Sequence, residues 1–235
     1  MSSLDANQAL DKIPTANHAV IILASGLSQR LGHAKQLLNK AANPLISYMT
    51  MLALTTKPQA IIVVIPDNNS MIDSVMSELS VQHTAIRTVT NPTPETGMAH
   101  SLYLGIEALS NLTHALFDRV LIMGVDQILL DKPHLTALLA GKQAGVASDY
   151  PSWQNLDKAD SNHAFKKNII GLPLVIDYEL LKQWQSALVG DKGLRHLIRA
   201  LPPSQISTVS NDQLSYDIDT PEELAYAKQR GWLDA

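Results

Sequence analysis

The first half of the chain alternates short apolar runs with amphipathic stretches. Apolar, largely β-branched runs fall at residues 19–23, 60–65, 86–89 and 119–123. A short continuous apolar run reads as a strand buried on both faces, as in a parallel sheet. Between these runs, residues 45–54, 70–79 and 99–109 carry apolar side chains at helical spacing. Strand and helix in alternation predict βαβ units. The fold class is then α/β: a doubly wound, mostly parallel sheet with helices on both faces. Ligands of such sheets bind beyond the carboxyl ends of the strands. Three unusual loops fall at those ends, at 24–35, 91–97 and 124–128.

The second half is less regular. Residues 143–148 and 169–176 read as strands, 178–188 and 193–201 as helices, 216–218 as a short strand and 221–230 as a last helix. Thr220 suits the cap of that last helix, Pro221 its first turn, and Glu222 and Glu223 its positive end. The segment 149–168 is polar and holds Trp153, His163, Lys166 and Lys167. It reads either as a lid or acceptor loop, with Trp153 stacking on a flat substrate, or as a loop with no role. Residues 1–17 read as an N-terminal extension and 18–235 as a single domain.

Composition narrows the chemistry. The 235 residues are 46% apolar and 17% charged, with net charge −4, which is a folding globular composition. A mildly acidic chain has no global attraction to nucleic acid or to an anionic membrane, so an anionic ligand needs a local site. There is no cysteine, which excludes disulfides, thiolate metal sites and thiol catalysis. No apolar run reaches the ~20 residues of a membrane span. The expected location is the cytoplasm.

The stretch LASGLSQRLGHAK, from Leu23 to Lys35, follows the first predicted strand. Gly26 and Gly32 permit close backbone approach or positive φ. Ser28 offers a hydroxyl, Arg30 a planar fork of donors and Lys35 a compact charge. By this chemistry alone the loop reads equally as a phosphate cradle and as a solvated turn. It is neither GxxxxGK[ST] nor GxGxxG.

The same residues resemble the LAAGxSxRxGxxK signature of MobA-like nucleotidyltransferases, and within that group the molybdenum cofactor cytidylyltransferases. Further along, Asn91-Pro92, Gly97-Met98 and Ser101-Leu102 with Gly105 resemble that branch's NP…GMxxSLxxG segment. Val125-Asp126-Gln127 resembles its GDQP turn, with Ile128 in place of proline. Gly171-Leu172-Pro173 falls where the branch has GHP, Gly190-Asp191-Lys192-Gly193 resembles its GDxG turn, and 217–223 resembles its DIDTPEDL. These motifs stand in the family's order from residue 19 to about 230.

The resemblance implies a Rossmann-like nucleotidyltransferase that moves CMP from CTP to the phosphate of molybdopterin and releases pyrophosphate. Its alternatives are GTP or a sugar phosphate as substrate on the same fold, or a non-catalytic protein that binds and delivers the cofactor. It implies Mg²⁺ held by Asp126 and Asp219, with Asp217 a weaker third carboxylate. Arg30 and Lys35 would hold the triphosphate, and with Asp126 they form the expected catalytic set. Leu23, Ala24, Ser25, Gly26, Ser28, Asn91, Gly97 and Ser101 complete the expected nucleotide site, Ser101 reading equally as a helix N-terminal serine. No histidine is required, because the attacking phosphate is already ionised. Ala24-Ser25-Gly26 matches neither the guanylyl LAGG nor the cytidylyl AAG, and Ser25 leans away from a purine. Leu172, in place of histidine, bears on the acceptor. A recipient molybdoenzyme or its chaperone is the implied partner.

Overall fold

Four of the predicted apolar runs pair side by side. The computed structural model describes residues 17–67, 69–113, 117–151, 168–188 and 194–235. Strands β1 (His18–Leu23), β4 (Ala60–Pro66), β5 (Ile86–Asn91) and β6 (Arg119–Gly124) are parallel, with β1 between β4 and β6. A short hairpin, β2 (Asn39–Lys40) with β3 (Asn43–Pro44), follows the first loop. β7 (Gly145–Pro151), β8 (Asn168–Asp177) and β9 (Ile206–Ser210) extend the sheet, giving the order β5-β4-β1-β6-β8-β7-β9. Only β8 runs against its neighbours β6 and β7.

Each face of the sheet takes alternate residues of the same strands. Val20, Ile22, Ile61 and Val63 pack under α1 (Leu45–Leu54), α2 (Ser70–Gln82) and α4 (Lys132–Ala140). Ala19, Ile21, Ile62 and Val64 pack under α3 (Met98–Ser110), α5 (Tyr178–Trp184) and α6 (Arg195–Ala200). The last helix, α7 (Pro221–Gln229), joins the first face through Ala227. The expected doubly wound sheet with helices on both faces is therefore present. β5 departs from the expectation of burial on both faces: its middle residues are open to solvent. It is an edge strand with one neighbour, β4, so the sheet leaves part of it uncovered.

Local chemistry starts the helices. The Asn69 side chain accepts from the Ile72 amide and starts α2, and Asp131 does the same for α4 through the His134 amide. Thr220 and Glu223 form a reciprocal capping box on α7, with Pro221 in its first turn. The predicted strand at 216–218 is instead a single bridge between Gln127 and Asp217, preceded by a 3₁₀ turn at Asp212–Ser215. The predicted helix 178–188 ends at Trp184 and tightens into a 3₁₀ turn. Of the polar segment 149–168, the first three residues belong to β7 and the last opens β8. Its residues 152–167, the turn at 190–193 and residues 1–16 of the expected 1–17 extension lie outside the described residues.

Gly105 fixes how closely α3 lies on β1. A Cβ there would stand 2.8 Å from the Ile21 Cγ2, so only glycine permits this approach. That contact supports the strand from which the first loop springs.

Candidate active site

The chain runs from β1 outward to β4 and β5, then returns to the other side of β1 as β6. Loops after β1 and β6 thus diverge and leave a crevice at the carboxyl ends of the strands. A cleft of about 620 Å³ lies there. Leu23, Ser25, Gly26, Arg30 and Lys35 line it from the first loop, and Gly97 and Ser101 from the start of α3. Asp126 and Gln127 enter from the end of β6, and Asp217 from before α7.

Electrostatics organise one half of this cleft. Lys35 is 7% exposed. Its Nζ donates to Asp126 Oδ2 at 3.0 Å and to Asp219 Oδ1 at 2.8 Å. Arg30 donates to the other oxygen of Asp219 at 2.6 Å from an exposed side chain. Burial alone would lower the Lys35 ammonium, but the two aspartates outweigh it and hold its pKa above the usual value. Burial would raise the Asp219 carboxyl, but Lys35 and Arg30 hold it below the usual range. Among the described residues Asp217 has no such partner. Burial, then Asp126 and Asp219, push its carboxyl up to about 6. Three acids against two bases leave an excess of negative charge at this point.

The turn that presents Asp126 is closed by its own backbone. The Ile128 amide donates to Asp126 O at 2.9 Å, a bond that proline at this position could not make. Ile128 itself is fully buried. Gly124 leaves room for the Asp126 carboxylate in this rotamer: a Cβ there would meet Asp126 Oδ1 at 2.7 Å.

A buried polar knot anchors the loop to the sheet. Ser25 and Ser101 share a hydroxyl contact of 2.6 Å, and Asn91 donates to Ser101 at 3.1 Å. The Asn91 carbonyl oxygen accepts from the Thr93 amide, which fixes the orientation of that amide. Asn91 and Ala24 are fully buried and do not line the cleft. They hold up the floor rather than face a ligand. Ser28 also stands back. Its backbone has φ 51°, its carbonyl accepts from Leu31 and Gly32, and its hydroxyl accepts from the Lys35 amide. It shapes the turn that aims Lys35. Gly97, with φ 97° and ψ −177°, occupies backbone space closed to most side chains at the entry to α3.

Sequence reasoning missed Gln36. It is 1% exposed, and its Nε2 donates to Ala24 O at 2.6 Å and Gly26 O at 2.9 Å. One amide thus ties down two loop carbonyls, Ala24 O and Gly26 O, and braces the start of the loop. Nothing in sequence spacing marks it, because the bond spans the bend of the loop. Tyr150 and Arg195 were missed too, and both line the other half of the cleft.

Residues 20–206 match the family described as the MobA-like NTP transferase domain. The chain belongs to that family. No match was found among proteins of curated function. The chain also shares its fold with several solved structures. Rv0371c from Mycobacterium tuberculosis H37Rv superposes with TM-score 0.67 at 19% identity, over 91% of this chain and 99% of its own. A nucleotidyl transferase from Methanothermobacter thermautotroptrophicus gives 0.67 at 18%, over 92% and 97%. The inositol-1-phosphate CTP transferase from T. maritima gives 0.63 at 14%, over 92% and 95%. Rv0371c has also been crystallised with manganese, a structure that matches at TM-score 0.60 and 17% identity over 90% and 97%.

No helix among the described residues is long and apolar enough to cross a membrane.

Proposed function

We propose that this nucleotidyltransferase moves CMP from CTP to the phosphate of molybdopterin. The observation that carries the reading is the Lys35 ammonium between Asp126 and Asp219, with Arg30 beside it. An oxygen of the acceptor phosphate bonds to the α-phosphorus as the bond from that phosphorus to the pyrophosphate oxygen breaks. Both reactants are anions, so the chain's task is to position them and neutralise charge. Lys35 and Arg30 meet the charge that grows on the departing pyrophosphate. The Ser25–Ser101 knot and the Gln36 clamp keep the loop fixed beneath the nucleotide.

The carboxylates fit a divalent cation. Asp126 and Asp219 reach one ammonium from two sides, and Asp217, raised by burial and then by these two carboxylates, is a group whose charge a dication would favour. Among the described residues no group of three or more His, Cys, Asp or Glu closes a metal cage. That suits Mg²⁺, which uses one or two carboxylates and takes the rest of its oxygens from phosphate and water. Bound there, it would supply Lewis-acid charge on phosphate oxygens. The manganese complex of Rv0371c supports a divalent site on this fold. Ser25 in the floor narrows the base pocket and favours a pyrimidine over a purine, and the inositol-1-phosphate CTP transferase supports CTP use on this fold.

A panel of nucleoside triphosphates with molybdopterin and Mg²⁺, following pyrophosphate, tests the proposal. Release with CTP is expected. Release with GTP, or with a sugar phosphate and not the pterin, would replace that substrate assignment. No release with any pair, together with cofactor binding, would make the protein a delivery module for a molybdoenzyme or its chaperone.

A further inference from the structure

The second half of the cleft is built differently. Its walls are apolar: Leu172, Leu214, Leu194 and Ile198 line it. Against them stands Tyr150, 9% exposed, at the end of β7. A Cβ on Gly171 would stand 3.0 Å from the Tyr150 hydroxyl, so glycine there makes room for the phenol to reach across. Arg195 lies against that hydroxyl as hydrogen-bond partner and charge. Arg30 and Lys35 are already paired with aspartates, whereas Arg195 forms no ion pair among the described residues. Arg195 is exposed at the cleft, and a guanidinium with no ion pair among the described residues is free to take a phosphate through its fork of donors.

A second buried group points the same way. Gln127 is 6% exposed and lines the cleft. Its Nε2 donates to Leu172 O at 2.7 Å, but its Oε1 has no partner among the described residues. A buried acceptor left unpaired is costly unless a bound molecule donates to it. The chain Gln127–Leu172–Gly171–Tyr150–Arg195 is continuous, so the orphan oxygen and the guanidinium border one space.

We infer that this half is an acceptor subsite in which Arg195, held in place by the Tyr150 hydroxyl, binds the anionic group of a flat, largely apolar acceptor whose N–H or O–H meets Gln127 Oε1. The inference rests on the transferase reading and deepens it. A sugar needs a wall of hydrogen-bonding groups for its hydroxyls, and leucine and isoleucine side chains do not provide one. A heteroaromatic body carrying a phosphate monoester fits both the walls and the cation. Arg195 is a specificity residue here, and Tyr150 positions it.

Equilibrium binding separates this subsite from catalysis. The probes are a pterin carrying a phosphate monoester, the same pterin with a free alcohol, and glucose 1-phosphate, each followed by calorimetry. Wild type should prefer the phosphopterin over the alcohol by about 10- to 100-fold, the range of a charge-assisted contact. Arg195→Gln should erase that preference. Arg195→Lys should restore part of it, and Tyr150→Phe should reduce it without changing the affinity for the alcohol. CTP affinity, measured in parallel, should be the same in wild type and Arg195→Gln. A preference that survives Arg195→Gln, or a loss of CTP affinity in that variant, would overturn the assignment. So would tighter binding of glucose 1-phosphate than of the phosphopterin. Failure of the transferase reading looks different: no triphosphate binds to wild type, while the phosphopterin preference still answers for the subsite.

Discussion

The two halves of the cleft use different physics. On the side of the first loop, two cations are locked by carboxylates, and a knot of two hydroxyls and an amide fixes the floor. On the far side, apolar walls share the cleft with one exposed guanidinium, Arg195, that has no ion pair among the described residues. The first arrangement is prepared in advance for a highly charged partner, whose stabilisation needs fixed dipoles and charges. The second relies on shape and on one charge supplied by the protein and one by the ligand. One fold thus places a rigid electrostatic half beside a selective apolar half.

The comparison breaks first at Asp126. Asp126→Asn should lower pyrophosphate release about 100- to 1000-fold, with little change in phosphopterin binding. Steady-state rates and calorimetry check both arms. A loss of both would mean that the halves are not separate.

Lys35→Ala should act on stability as well as on binding. It leaves Asp126 and Asp219 facing each other without a cation. Both aspartates are partly open to water, so the cost is about 1–3 kcal/mol rather than that of a fully buried charge. Thermal melts should show a fall of several degrees, and millimolar Mg²⁺ should recover part of it by replacing the ammonium. A melt unchanged by Lys35→Ala would contradict the bridging role. The sequence alone pointed to a lysine that touches only the triphosphate. Burial of its ammonium between two carboxylates makes it part of the scaffold too.

Gly105→Ala sharpens the comparison from beneath. The added methyl would press on Ile21 and push α3 away from β1, at a cost of about 1–2 kcal/mol. It should weaken CTP binding more than phosphopterin binding, because β1 carries the first loop and the start of α3 carries Gly97 and Ser101, all on the nucleotide side. Equal weakening of both would show that the halves share that support.

The smallest effect concerns pH and the strands behind the far half. His134 is buried, and its Nε2 lies 2.8 Å from Ser148 Oγ. Ser148 donates its own proton to Pro173 O, so His134 Nε2 is the donor in this pair. Burial lowers the ring's pKa below the usual 6.5, against the pull of Asp131. The unfolded chain therefore binds a proton that the folded chain refuses. Stability should be unaffected above pH 6.5 and should fall as pH drops below it. Melts of wild type and His134→Gln across pH 5–7.5 check this, and a variant with the same slope as wild type would assign the effect elsewhere.

The first half of the fold was readable because parallel strands buried on both faces are continuous apolar runs, as at 60–65 and 119–123. β8 shows the limit: its apolar run looks the same whether it lies parallel or antiparallel, so its reversal was invisible. β9, ISTVS, alternates small polar residues and lacks the apolar signal, and α4 starts at Lys-Pro and is short. At the site, motif order brought forward Lys35, Asp126 and Asp219, and the folded chain places them around one ammonium. Motif order also named Asn91 and Ala24, which the fold buries as supports, and half-buried Ser28, whose hydroxyl accepts from the Lys35 amide and shapes the turn. Gln36, Tyr150 and Arg195 gain their meaning from contacts across the cleft, which no local pattern records.

The central claim is that Lys35, Asp126 and Asp219 form a triphosphate and metal site. The most direct measurement is the affinity of CTP with and without Mg²⁺, in wild type and in Asp126→Asn. The account predicts that Mg²⁺ strengthens CTP binding at least tenfold in wild type and that the strengthening disappears in the variant, a tenfold change being about 1.4 kcal/mol. Equal CTP affinity with and without Mg²⁺ in wild type, or the same Mg²⁺ dependence in Asp126→Asn, would contradict it.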